Sequence, residues 1–74
     1  MQMRQRDLIN SLIRTARELE RPLATIYNRK GVALETSSGR IRLGPHPNRP
    51  IHSRDFPHIL NSLGFPEAAL GSGR

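Results

Sequence analysis

Between residues 4 and 20 apolar side chains recur every three or four positions. Leu8, Ile9, Leu12, Ile13, Ala16 and Leu19 fall on one stripe, while Arg6, Asn10, Arg14, Arg17 and Glu18 fall off it. That spacing predicts an amphipathic helix over residues 4–20. Pro22 disfavours helical geometry at Arg21, so the helix stops there. The period then changes to two. Residues 23–28 are rich in β-branched and aromatic side chains, with turn signals at Asn28 and Gly31. In residues 32–36, Val32 and Leu34 point one way, and Ala33 and Glu35 the other. Ser37, Ser38 and Gly39 make a hairpin turn. Residues 40–43 alternate again, with Ile41 and Leu43 inward and Arg40 and Arg42 outward.

The third pattern is a stiff connector. Pro45, Pro47 and Pro50 hold φ near −65° and keep the residues before them extended. The connector therefore carries His46 and Arg49 in a set direction. A short helix follows, from Asp55 or Phe56 to Leu63, with Phe56, Ile59, Leu60 and Leu63 on its buried stripe. Ser53 or Asp55 is placed to cap it, and Pro57 falls in its first turn, where a missing N–H costs little. Gly64 suits the left-handed residue after the helix, and Phe65 the apolar contact that follows. Residues 66–74 read as a flexible tail.

The predicted order is α-β-β-β-α in one domain over residues 1–65, of the α+β class. A three-stranded antiparallel sheet with both helices on one face buries every stripe named above. That layout resembles a minimal double-stranded-RNA-binding domain (dsRBD). The other sheet face then meets solvent.

Charge sharpens this picture. The chain carries 12 Lys and Arg against 6 Asp and Glu, a net charge of +6 over 74 residues. All the cations but Lys30 are arginine, whose planar fork suits phosphate. From Arg29 to Arg54 there are Arg29, Lys30, Arg40, Arg42, Arg49 and Arg54 against Glu35 alone. That concentration points to nucleic acid as the partner. With no cysteine there is neither a disulfide nor a thiolate metal site. No run of 18 apolar residues and no signal peptide is visible, so the expectation is a soluble, cytoplasmic protein without a membrane partner.

The last third carries a resemblance. Pro45, His46, Pro47, Ile51, Phe56, Ile59, Leu60, Gly64 and Phe65 stand, without gaps, in the register of the HicA toxins of bacterial type II toxin–antitoxin systems. These resemble the chain in element order, length and charge as well, over about residues 3–65. The resemblance implies a metal-independent endoribonuclease acting on mRNA, neutralised by a HicB-like antitoxin. In that family a Lys-Gly pair is followed by Ser and then by the catalytic His. Here Lys30 and Gly31 are kept, Val32 stands at the Ser position and Ala33 at that of the His.

A histidine with a pKa of about 6.5 takes the proton from a ribose 2′-OH or gives one to the leaving oxygen. Alanine does neither, and such help is worth roughly 10²–10⁴-fold in rate. The chain is therefore expected to bind RNA and to cleave it poorly or not at all. Ala33 is either natural to a non-cleaving relative or an inactivating His→Ala change. The second is favoured, because alanine is a poor strand former on the outward side of a well-patterned strand. The alternative to a nuclease is a non-catalytic RNA-binding module of the same fold.

The remaining candidates weigh less. His46 is a possible auxiliary or RNA-contacting group, and otherwise an ordinary loop histidine. His46, His52 and His58 lack the cysteines or paired carboxylates of a metal site, so no cofactor is expected. Tyr27 is expected to pack in the core rather than stack on a base. Glu35, two residues from Ala33 and about 7 Å along the strand, neighbours that position. The RNA contacts are assigned to Arg29, Lys30, Arg40, Arg42 and Arg49.

Overall fold

A computed structural model describes residues 2–66. Strand β1 (Gln2–Arg4) leads into helix α1 (Gln5–Glu18), followed by β2 (Ala24–Asn28), β3 (Gly31–Thr36), β4 (Gly39–Leu43), β5 (Pro50–His52), a 3₁₀ turn (Ser53–Asp55) and α2 (Phe56–Leu63). The class is α+β. Strands β2, β3 and β4 form an antiparallel meander with β3 in the centre, and β1 pairs with β5 in a separate antiparallel ribbon. The expected tail, residues 66–74, lies outside the described residues except for Pro66. Among those residues no helix is long and apolar enough to cross a membrane.

The core follows the two predicted periods. Leu8, Ile9, Leu12 and Ala16 of α1 join Val32 and Leu34 of β3, and Ile59, Leu60, Leu63 and Phe65 at the end of the chain, in one buried cluster. Cross-strand partners share a face. Leu34 stands between Thr25 and Ile41, and Val32 between Tyr27 and Leu43, so these rows line the core side. The rows between them, Ile26–Ala33–Arg42 and Ala24–Glu35–Arg40, occupy the opposite, open face.

Both helices end in the same way. Glu20 takes a left-handed φ of 55° after α1, and the N–H groups of Glu20 and Arg21 return to Arg17 and Ala16. After α2, Gly64 has φ 78°, and the N–H groups of Gly64 and Phe65 return to Asn61 and Leu60. These are Schellman closures, and in the second the buried Phe65 supplies the expected apolar contact. The Arg21 guanidinium donates to the Gly64 carbonyl, tying the two helix ends together. Thr36 Oγ1 donates to the Leu63 carbonyl at 2.7 Å, which joins the end of β3 to the end of α2.

Three expectations are corrected. The first helix starts at Gln5 rather than Arg4, because Gln2–Arg4 is drawn into the ribbon with Pro50–His52. Both ribbon strands are three residues long, too short to leave a period-two signal, and their partners Gln2 and His52, Met3 and Ile51, and Arg4 and Pro50 lie far apart in sequence. The same helix ends at Glu18, and Leu19, assigned to its stripe, is 39% exposed beyond it. Neither Ser53 nor Asp55 caps α2 with its side chain. His52 caps the preceding 3₁₀ turn instead, its Nδ1 accepting from the Arg54 N–H at 3.1 Å.

The faces differ in what they bear energetically. Leu34→Ala empties a fully buried site and is expected to cost about 2–5 kcal/mol. Ile26→Ser, on the half-exposed row beside it, should change stability by no more than about 0.5 kcal/mol. Urea unfolding of the two variants measures the difference.

Candidate nucleic-acid interface

The turn joining β2 to β3 builds one wall of the site. Asn28 Oδ1 accepts from the Lys30 N–H at 2.8 Å, closing an Asx turn that holds Arg29 and Lys30 at its tip. Gly31 then adopts φ +138°, a conformation that side chains rarely allow. It also lies against β4: a β-carbon there would stand 2.0 Å from the Leu43 carbonyl oxygen. Glycine is thus required twice over, for its φ and for the closeness of the neighbouring strand.

Beside this turn lies an open cleft of about 480 Å³, lined by Arg29, Lys30, Ala33 and Arg42 together with Asn28, Gly31, Val32 and Leu43. Ala33 stands between Ile26 and Arg42 on the open face. Its own exposure is only 7%, so it is buried rather than presented to solvent as expected, although it does not belong to the main core cluster. A larger side chain at position 33 would therefore extend toward the arginines, away from Val32 and Leu34.

The cleft brings together four of the residues assigned from sequence: Arg29, Lys30, Ala33 and Arg42. Arg40 lies on the same face one row away, directly across from Glu35. The only acid in the basic segment is thus opposite a cation and not among the residues lining the cleft. Arg49 comes from the connector, and its Nη1 lies 3.7 Å from where a β-carbon on Gly44, just after β4 and next to Gly31, would stand. His46 is exposed on the connector and is not among the cleft residues; its carbonyl accepts from the Arg49 N–H at 3.1 Å.

Tyr27 departs from expectation. It is 71% exposed instead of packed in the core. Its row faces the core side, but β2 is the edge strand and Tyr27 stands near its end, so little covers it. The weakly apolar run of β2 left this open, since an edge strand and a covered one read alike locally.

Chemically, three cations around a small hollow suit a phosphate group. A single ion pair at 4 Å is worth about 1 kcal/mol in water and about 4 at the edge of a protein. The described residues lining the cleft include no histidine, aspartate or glutamate. No group of three or more His, Cys, Asp or Glu placed to hold a metal ion occurs among the described residues. Comparison with known proteins found no match, whether to a family model, a curated protein or a solved structure.

The cluster predicts position-dependent anion binding. Replacing Arg29, Lys30 and Arg42 with alanine should lower the salt concentration at which the protein leaves a heparin column. Replacing Arg4, Arg14 and Arg17, an equal loss of charge elsewhere, should lower it markedly less.

Proposed function

We propose that this chain is a HicA-like, RNA-binding protein of a type II toxin–antitoxin system. RNA lies along the open sheet face, its phosphates held by Arg29, Lys30 and Arg42, with Arg40 and Arg49 extending the track. The observation that carries the reading is the placement of those three cations around position 33, where the resembling family has its catalytic histidine. The shared core of α1, β3 and α2 supports the finer fold reading as well, a minimal dsRBD-like arrangement with both helices on one side of the sheet.

In this reading the fold positions RNA and Ala33 withholds the chemistry. A histidine at position 33 would remove the 2′-OH proton as the 2′-oxygen attacks the adjacent phosphorus. The bond from phosphorus to the 5′-oxygen breaks, and the leaving oxygen takes up a proton. The products are a 2′,3′-cyclic phosphate and a free 5′-OH. The step needs no metal, because the arginines and lysine neutralise the charge that builds on the phosphoryl oxygens. The chain as it stands binds RNA without cutting it. An acidic HicB-like antitoxin would cover the same basic face. His46 is the further candidate for the second proton, reaching the RNA from the connector.

The reading predicts a gain of function. Ala33→His should cleave mRNA in the presence of EDTA, with a rate rise of roughly 10²–10⁴-fold over the parent, and should arrest growth when expressed in bacteria. Intact RNA and normal growth with the folded variant would leave the second reading, a non-catalytic RNA-binding module. Loss of RNA binding at low salt would remove both. For the parent, log K should fall with log[salt] with a slope of roughly −0.7 per phosphate neutralised on single strands, and Arg42→Ala should reduce that slope by about one such unit.

A further inference from the structure

A second cleft, of about 300 Å³, lies on the other side of the Asn28–Gly31 turn. Its walls are the first turns of α1, the end of β2 and the proline connector. Ile9, Val32, Pro45 and Pro47 make it largely apolar, and Tyr27 stands exposed at its rim. Its polar groups are side-chain amides and Arg6. Asn10 is exposed, and Gln5 is 3% exposed. Gln5 Nε2 donates to the Gly44 carbonyl at 2.6 Å, while its Oε1 has no partner among the described residues.

We propose that this cleft is a nucleobase subsite, which takes one unstacked base of a single-stranded RNA whose phosphates lie in the cationic cleft; the proposal rests on the RNA-binding reading above. The cleft lies at the lower end of small-ligand sites and has room for one base. A base has two apolar faces for the prolines and the tyrosine ring. It also has an N–H edge, the kind of donor that the buried Gln5 Oε1 lacks among the described residues; entry of a base requires that amide to rotate away from the Gly44 carbonyl. An aliphatic side chain of a protein partner would fill the walls but leave that oxygen without a donor. A free phosphate would leave the apolar walls uncovered.

Continuity between the clefts supports the same occupant. Asn28, Gly31 and Val32 line both of them. A strand crossing the turn at Gly31 therefore places a phosphate against Arg29, Lys30 and Arg42 on one side and a base against Tyr27 on the other. Arg6, whose Nη2 donates to Asn48 Oδ1 at 3.1 Å, adds a cation at the far rim for the next phosphate. Base stacking of this kind tolerates any sequence, and the amide edge then selects among the bases.

Tyr27 is the only tyrosine and the chain has no tryptophan, so intrinsic fluorescence reports this residue alone. The experiment titrates the full chain with a short single-stranded RNA, and with the same strand made abasic, at low salt. Quenching of Tyr27 by the intact strand is expected, with much weaker quenching by the abasic one. Tyr27→Ala should lower the affinity for the intact strand by ~5–150-fold and leave the affinity for the abasic strand unchanged, whereas Tyr27→Phe should keep most of the binding. Equal binding of both strands by the parent, or an unchanged affinity in Tyr27→Ala, would overturn the subsite while leaving the cationic RNA surface in place. No binding of either strand by the parent would instead overturn the RNA reading, and the subsite with it.

Discussion

The strict two-residue alternation of β3 is the constraint on which the rest of the molecule depends. β3 is the middle strand of the sheet, so it has neighbours on both sides and a different environment on each face. Val32 and Leu34 enter the core that joins the two helices, and this sends Ala33 and Glu35 to the open face without further choice. A slip of one residue would put Glu35 into the core and the two apolar side chains into solvent. Burying an unpaired carboxylate is prohibitive, so the register is held by the same energy that forms the core. The position of residue 33 among the arginines is thus a by-product of core packing.

The connector supplies the second constraint. The first N–H groups of a helix have no partner within it. Here the Gln5 and Arg6 N–H groups donate to the carbonyls of Arg49 and Pro47, each at 2.8 Å, so the proline-rich segment takes the place of a side-chain cap. Arg4, at the N-cap, has no side-chain bond of its own to offer. The ribbon of β1 with β5 continues the same contact by three residue pairs. These bonds join the start of the chain to the connector, and so place the second cleft between parts of the sequence some forty residues apart.

On the proposed RNA-binding reading, the two clefts divide the work that a cationic surface alone cannot do. Charge gives affinity and salt dependence but little discrimination, because every nucleotide carries the same phosphate. An apolar hollow with amide groups does the reverse. Their common border at Asn28–Gly31 is held by the Asx turn and by the close approach of Gly31 to β4. Both clefts therefore depend on a turn too tight for any residue with a side chain at position 31.

How much of this was legible beforehand varies with the range of the interaction. The stripes of α1 and α2, the alternation of β3 and β4, and the closure at Gly64 and Phe65 are local, and each could be read from residues a few positions apart. The outward placement of Ala33, Arg40 and Arg42 followed from period two. The ribbon, the connector's capping of α1 and the exposure of Tyr27 depend on which segments meet, and neighbouring residues carry no record of that. The sequence by itself determined the buried stripes of α1, β3 and α2 and which face of the sheet is basic, because burial energy acts through local periodicity. Only the tertiary structure decided that Arg29, Lys30 and Arg42 share one hollow with Ala33, that Arg40 faces Glu35 and that Gln5 is sealed against the connector. Those placements arise from strand register and from backbone bonds between distant segments.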